Sequence, residues 1–304
     1  VSTRDHIARG LLDGGAARVV AVTSTDVARE AARRHDAAGA AAVALARGLT
    51  CGLMLATLTK DEERVTLQVL GDGPLGSLTV DASAAGTARA YVKNPGVRLA
   101  LPAAGTRFEI APAVGRAGLI SVVRDIGLRD NFRGQTSLVT GEIDEDVEHY
   151  LNVSEQIDSA IGCEALLDGS GQIIAAAGLL VQALPGSGAA LHVQAARDRL
   201  RAGGLLPALA QAADVAELVA SVLGPELGPA QLLDLRPVSF RCPCSRTRAG
   251  ASLALLGQAE VAMMLIEDGR AEVICNFCRA RYEFSAEDLE IIRRDLDKSA
   301  GPPS

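Results

Sequence analysis

The sequence predicts an α+β protein: an N-terminal α+β domain, a helical linker, and a small C-terminal domain organised by cysteines. Three observations predict it. Strand-like runs cluster in the first half with helices flanking them, not alternating one for one. Leu191–Arg236 is helix-forming but repeatedly broken by glycine and proline. Four of the six cysteines then gather near the C-terminus, at Cys242, Cys244, Cys275 and Cys278. These divisions place the N-terminal domain at 1–186, the linker at 187–239, the cysteine domain at 240–296 and a disordered tail at 297–304.

Taken in order, Arg18–Thr23 is a short β-rich run. Thr25 or Asp26 caps a helix through His35, and a second helix covers about Ala40–Leu58. Arg64–Leu70 and Ser77–Asp81 alternate as strands. Between them, Gly71-Asp-Gly-Pro-Leu-Gly76 matches the dinucleotide fingerprint by letter. That fingerprint requires a helix to begin inside it, whereas Pro74 intervenes and a strand follows, so it reads as a turn. Further strand-like runs are Arg107–Ile110, Gly118–Arg124 and Thr136–Thr140, with turns at Asn94-Pro-Gly and Phe132-Arg-Gly. Glu142–Asn152 reads as a helix with Ile143, Val147 and Leu151 on one face. Its acidic residues and His149 would suit a metal or acid–base cluster, but an acidic first turn favoured by the helix dipole is the simpler reading. Cys163–Leu167 and Gln172–Ala177 complete the strands.

Gly186-Ser-Gly188 marks the start of the linker, and within it Asp214–Leu223 carries Val215, Leu218, Val219 and Val222 at helical spacing, ending at Gly224. In the last domain Ala251–Leu265 reads as helix and Glu272–Cys275 as a short strand. Ser285-Ala-Glu-Asp288 opens a final helix with a relative of the capping box.

Composition narrows the function. The chain is 304 residues long, 48% apolar and 22% charged, which is globular. Only 3% is aromatic, and the formal net charge of −7 argues against a phosphate-backbone binder. The sequence opens Val-Ser-Thr-Arg-Asp, without a basic region followed by an apolar run, so no leader segment is expected. The apolar run Ala37–Thr59 is interrupted by Arg47 and falls short of a membrane span. A cytoplasmic protein with reduced thiols is expected.

The cysteines carry the chemistry. Cys242-Pro-Cys244 and Cys275-Asn-Phe-Cys278 are separated by the thirty residues 245–274. Two close thiol pairs joined by a foldable spacer supply the four corners of a tetrahedral, all-cysteine zinc site. Two local disulfides, or buried apolar cysteines, are the plainer alternatives. A Cys-x-x-Cys turn aims backbone N–H groups at its sulfurs, which Pro243 cannot do in the Cys-x-Cys half. Arg241, Arg246, Arg248, Arg279 and Arg281 crowd the pairs, either as a solvated basic face or as partners of a doubly negative tetrathiolate.

Taken together, Gly71–Gly76, Tyr91-Val-Lys-Asn-Pro95, Gly141-Glu-Ile, Ser154-Glu-Gln156, Val181-Gln-Ala-Leu-Pro185 and the cysteine ending resemble the redox-regulated heat-shock chaperones, the 33 kDa chaperonin family, from about His6 to Arg294. Ala90, Phe132 and Asp158 depart from that pattern without touching a thiol. The resemblance implies zinc on Cys242, Cys244, Cys275 and Cys278 in an inactive reduced state. It further implies disulfides Cys242–Cys244 and Cys275–Cys278 on oxidation, zinc release, and unfolding of the zinc domain and linker. The implied activity is ATP-independent holding of unfolded or oxidatively damaged clients, with homodimers favoured on oxidation. Cys51 and Cys163 match no part of that switch and read as buried apolar residues.

Other readings are a hydrolase or transferase with an appended zinc ribbon, a nucleic-acid-binding zinc protein, and a dithiol oxidoreductase. The first lacks a convergent catalytic constellation, and the second is opposed by the acidic balance. The third needs a Cys-x-x-Cys that opens a helix, whereas Cys278 runs into Arg-Ala-Arg-Tyr-Glu-Phe.

Overall fold

The computed structural model describes residues 5–59, 63–103, 105–125, 132–186, 188–212 and 214–299. Residues 1–4, Ser187 of the expected linker start and 300–304 of the expected tail lie outside them. The chain divides into two compact units, Val1–Arg241 and Cys242–Ser304.

The first unit runs β1 (His6–Leu12), β2 (Ala17–Thr23), α1 (Thr25–His35), α2 (Ala40–Ala56), β3 (Arg64–Gly71), β4 (Ser77–Ser83), β5 (Thr87–Val92), a single turn α3 (Ala111–Val114), β6 (Gly118–Asp125) and β7 (Phe132–Ser137). It continues through α4 (Ile143–Val153), β8 (Ser159–Leu167), β9 (Ile173–Ala183), α5 (Ala190–Arg201), α6 (Leu205–Gln211), α7 (Val215–Leu223), β10 (Ala230–Pro237) and β11 (Ser239–Phe240). One sheet has the antiparallel order β10-β1-β2-β9-β8. The other is ordered β11-β5-β4-β3-β6-β7, antiparallel except where β11 joins β5 in parallel.

Helix α2 lies between the sheets, touching β4 and β5 of one and β9 and β8 of the other. All its residues are buried, as its Ala- and Leu-rich sequence requires. Gly48 and Gly52 make the close approach possible: a Cβ at Gly48 would stand 2.5 Å from Cδ2 of Leu78, and one at Gly52 would stand 2.7 Å from Cγ1 of Val80. Strand β2 is apolar on both faces because both are covered. Val20 and Val22 face the core around α2, while Val19 and Ala21 face a second core under α5, α6 and α7. Val215, Leu218, Val219 and Val222 of α7 are buried in that second core. Asp214 caps α7 by accepting from the amides of Ala216 and Glu217, both at 2.9 Å.

Several local expectations are corrected. Arg107–Ile110 is irregular backbone, because Arg107 turns inward to a buried ion network and the Ile110 amide serves Glu142. Phe132-Arg-Gly lies within β7, paired to β6, and is no turn. Residues 230–236, expected within the helical stretch, form β10. Gly228-Pro229 ends helical structure there and the edge of β1 accepts the chain. Of the expected tail, 297–299 continue α10 (Ala286–Ser299), described below.

Helix α1 has Ser24 at its N-cap position without a side-chain capping bond. The amide of Val27 is met instead by Asp5, whose Oδ2 accepts from it at 2.9 Å. Burial, opposed by that amide and reinforced by Asp26, pushes the Asp5 carboxyl up to about 6. A raised carboxyl pKa in the folded chain costs stability as pH rises. The contribution is intact below about pH 4, where Asp5 is protonated in both states, and is lost as pH climbs through about 6. Asp5→Asn keeps an acceptor for Val27 and removes the titration. We expect the variant to gain on the order of 2 kcal/mol over wild type between pH 4 and pH 7 in urea unfolding. A stability difference independent of pH would contradict this.

Candidate metal centre

The second unit contains α8 (Arg246–Ala254), α9 (Gln258–Glu267), β12 (Arg270–Ile274), β13 (Arg281–Ser285) and α10. The stretch expected as one helix over Ala251–Leu265 is two helices broken at Gly257, whose φ of +89° favours glycine. β12 and β13 pair antiparallel, and Ala249, Leu253, Val261, Phe284 and Leu289 form a small core. Ser285 and Asp288 start α10: Asp288 Oδ2 accepts from the Ser285 amide at 2.8 Å, and the Asp288 amide donates to Ser285 Oγ at 3.3 Å.

Cys242 and Cys244 precede α8, and Cys275 and Cys278 form the turn between β12 and β13. The four sulfurs lie within 4.8 Å of one another. Sγ of Cys242 is 3.7 Å from Sγ of Cys275, and Sγ of Cys244 is 3.1 Å from Sγ of Cys278. Tetrahedral zinc with Zn–S near 2.3 Å sets its sulfurs about 3.8 Å apart. The donor set and its spacing therefore fit zinc, and the four clustered cysteines form a zinc-binding site.

Local backbone explains the second pair. Arg279 adopts φ +61°, its amide donates to the Cys275 carbonyl at 2.9 Å, and the Cys275 amide donates to the Ala280 carbonyl at 2.9 Å. That tight turn aims the amides of Cys278 and Phe277 at the Cys275 sulfur and the amide of Ala280 at the Cys278 sulfur. The first pair is supported otherwise: the Tyr282 hydroxyl donates to Sγ of Cys244 at 3.1 Å, and Arg248 Nη1 donates to the Pro243 carbonyl at 2.9 Å. Tyr282 sits on β13, and nothing in its spacing marked it beforehand. Among the crowding arginines, Arg246 pairs with Asp288 at 2.8 Å and stacks 4.6 Å above Phe284. Arg281 pairs with Glu272 at 2.9 Å.

Burial pushes the Cys278 thiol up to about 12 despite the Ala280 amide, with the neighbouring sulfurs adding to the rise; burial also raises Cys275. The hydrogen bond to Cys244, then burial, pushes Tyr282 up to about 12. Cys275 and Cys278 therefore resist ionisation until a dication joins the cluster. Metal binding and thiol deprotonation are thus one event.

Other candidates resolve differently. Gly71–Gly76 joins β3 to β4 as a turn. The acidic start of α4 is buried: Asp146 accepts the amides of Val139, Thr140 and Gly141, while Glu142 and Asp144 join Arg47 and Arg107. The acidic first turn expected there is present, with Asp144, Glu145 and Asp146, and it also serves this specific pairing. Among the described residues no single helix is long and apolar enough to cross a membrane.

Comparison with known proteins agrees with this geometry. The family model described as Hsp33 protein matches residues 5–285. The chain is 38% identical to a 33 kDa chaperonin of Listeria monocytogenes over 94% of this chain and 97% of the relative. It is 36% identical to a 33 kDa chaperonin of Bacillus subtilis over 95% and 98% of the respective lengths. A crystal structure of a 33 kDa chaperonin from Thermotoga maritima superposes with a TM-score of 0.85 at 32% identity, covering 97% of this chain and 99% of that one. On its fold, its four-cysteine cluster and the extent of these matches, the chain belongs to the Hsp33 family, the redox-regulated 33 kDa chaperonins.

Proposed function

We propose that this chain is an ATP-independent holdase, held inactive while Cys242, Cys244, Cys275 and Cys278 bind zinc and activated when they are oxidised. One observation carries the reading: sulfurs from two distant pairs converge within 4.8 Å. When bound, zinc would supply a cross-link between the start of the small unit and the turn joining β12 to β13. The residues supply the sensor. In each pair, one thiolate attacks peroxide, forming an S–O bond as the O–O bond breaks, and the second displaces water to form S–S. The bridged sulfurs are no longer ligands.

The intended bridges are Cys242–Cys244 and Cys275–Cys278. The client class is unfolding or oxidatively damaged protein. A cytoplasmic setting and dimerisation on oxidation complete the proposal, together with loss of order in the linker, Leu191–Arg236. Enzyme chemistry has less support, since the acidic cluster it would draw on is engaged in buried pairing. Light scattering of a heat-denaturing protein tests the reading. Peroxide-treated chain should suppress it without nucleotide, and the reduced chain should not. A requirement for ATP, or equal activity of the reduced form, would refute it.

The two bridges should differ in strength. Residues two apart have Cα atoms roughly 7 Å apart when extended, beyond the usual disulfide range of about 4.4–6.8 Å. Closing Cys-Pro-Cys requires a bend that Pro243 restricts, whereas the Cys275–Cys278 turn is already bent. Strain raises the reduction potential, by about 30 mV for each 1.4 kcal/mol. Across a graded glutathione series, Cys242–Cys244 should be reduced first. Mass mapping of alkylated thiols reads the order, and a harder-to-reduce Cys242–Cys244 bridge would overturn it.

A further inference from the structure

Cys51 and Cys163 are 112 positions apart in the chain, yet their sulfurs lie 3.5 Å from each other. Both side chains are fully buried. Cys51 belongs to α2, packed between the two sheets, and Cys163 to β8. The backbone of Cys163 is fixed on both sides. Its amide donates to Asp144 Oδ2 at 3.0 Å and its carbonyl accepts from Arg107 Nη1 at 3.1 Å. Gly178 pairs with it across the β8–β9 ladder and leaves the room its sulfur uses. A Cβ at Gly178 would stand 2.8 Å from Sγ of Cys163 and 2.6 Å from Cγ2 of Thr50. Two rigid elements thus present thiols to each other across a gap that a disulfide closes by moving sulfur about 1.5 Å.

We propose that Cys51 and Cys163 are a second oxidisable dithiol, separate from the metal centre, which closes into a disulfide joining α2 to β8 when peroxide reaches it. Access sets the threshold. While the first unit is closed, both side chains are shielded from solvent, and burial, with Cys51 beside it, pushes the Cys163 thiol well above its ordinary value. The cysteines of the metal centre include three that are only half-buried, so they react first. Heat or damage that opens the first unit admits peroxide to the inner pair. One thiolate then attacks the peroxide, forming S–O as O–O breaks and releasing water. The second thiol attacks that sulfur, forming S–S and expelling a second water. Two thiols lose two electrons and peroxide gains them. The product ties a core helix to a strand across a loop of more than a hundred residues, which restricts the unfolded chain and secures the first unit during the stress that opened it.

The test uses the full chain treated with hydrogen peroxide at 25 °C and again about 10 °C below its unfolding midpoint, where sub-global opening is populated. Differential alkylation and mass mapping then assign every cysteine. At 25 °C, Cys51 and Cys163 should react with alkylating reagent only after denaturation. At the higher temperature a Cys51–Cys163 linked peptide should appear. It should be absent from Cys51→Ala and Cys163→Ala, and the linked protein's first unit should unfold on the order of 10 °C higher than the reduced form. If either variant fails to fold, the wild-type map still decides. Both thiols remaining unmodified at the higher temperature would overturn the proposal. So would sulfinic acid at either position, or a bridge from either to Cys242, Cys244, Cys275 or Cys278. Of these results, only a bridge to a cysteine of the metal centre bears on zinc binding.

Discussion

Chelating zinc from the reduced chain will unfold the second unit, from Cys242 onward, and leave the core around α2 in the first unit folded. The apolar core of the second unit is small, built around Ala249, Leu253, Val261, Phe284 and Leu289. Much of its apolar surface faces solvent, with Leu255 88% and Ile266 83% exposed. A module of this size lacks the buried area to offset its chain entropy. A structural zinc contributes on the order of 10 kcal/mol or more of apparent folding energy, which exceeds what this core supplies. Hydrogen exchange before and after chelation reads the effect. Protection should disappear across α8, α9, β12, β13 and α10 and persist in α2. By the proposal above it should also fall across Leu191–Arg236, where α5, α6 and α7 have 12, 7 and 9 residues and are marginal alone. Unchanged protection in the second unit would contradict the claim that metal holds it folded.

Arg47→Ala will destabilise the first unit by about 3–5 kcal/mol, because it leaves buried carboxylates without their cation. Arg47 is fully buried, with Nη1 2.5 Å from Glu142 Oε2 and Nη2 3.1 Å from Glu164 Oε2. Arg107 completes the network, 2.7 Å from Asp144 Oδ1 and 2.5 Å from Glu164 Oε1. Burial alone would raise Asp144, but Arg107 and Arg47 outweigh it and leave its carboxyl below the ordinary value. For Glu142, burial prevails over Arg47 and the Ala111 amide, and its carboxyl is raised. Removing Arg47 strips opposing charge from both. Urea unfolding measures the loss. The triple variant Arg47→Met, Glu142→Gln, Glu164→Gln should recover part of it, since removing both signs together avoids an unpaired charge. A loss below about 1 kcal/mol for Arg47→Ala would show the network to be unimportant.

The metal centre was the most legible part of the sequence, because ligand spacing is a local property: two short pairs specify four corners whatever the spacer does. The continuous apolar run of α2 and the helical spacing of α7 were legible for the same reason. Several strands were not. β1, β5 and β13 are short, and β10 follows a helical region, so each is defined by the strand beside it more than by its own pattern. The acidic start of α4 could be read only as a helix terminus, since its partners Arg47 and Arg107 come from elements far away in the chain. The Tyr282–Cys244 and Cys51–Cys163 contacts likewise exist only once the chain is folded.

One peroxide titration, with zinc content, thiol count and suppression of aggregation read on the same samples, tests the coupling of metal to activity most directly. The reduced chain should carry one zinc, with Cys242, Cys244, Cys275 and Cys278 protected and no chaperone activity. Loss of those four thiols, release of the zinc and the rise of activity should follow a single course. Activity that appears while zinc and all four thiols are retained, or a reduced chain without stoichiometric zinc, would contradict it.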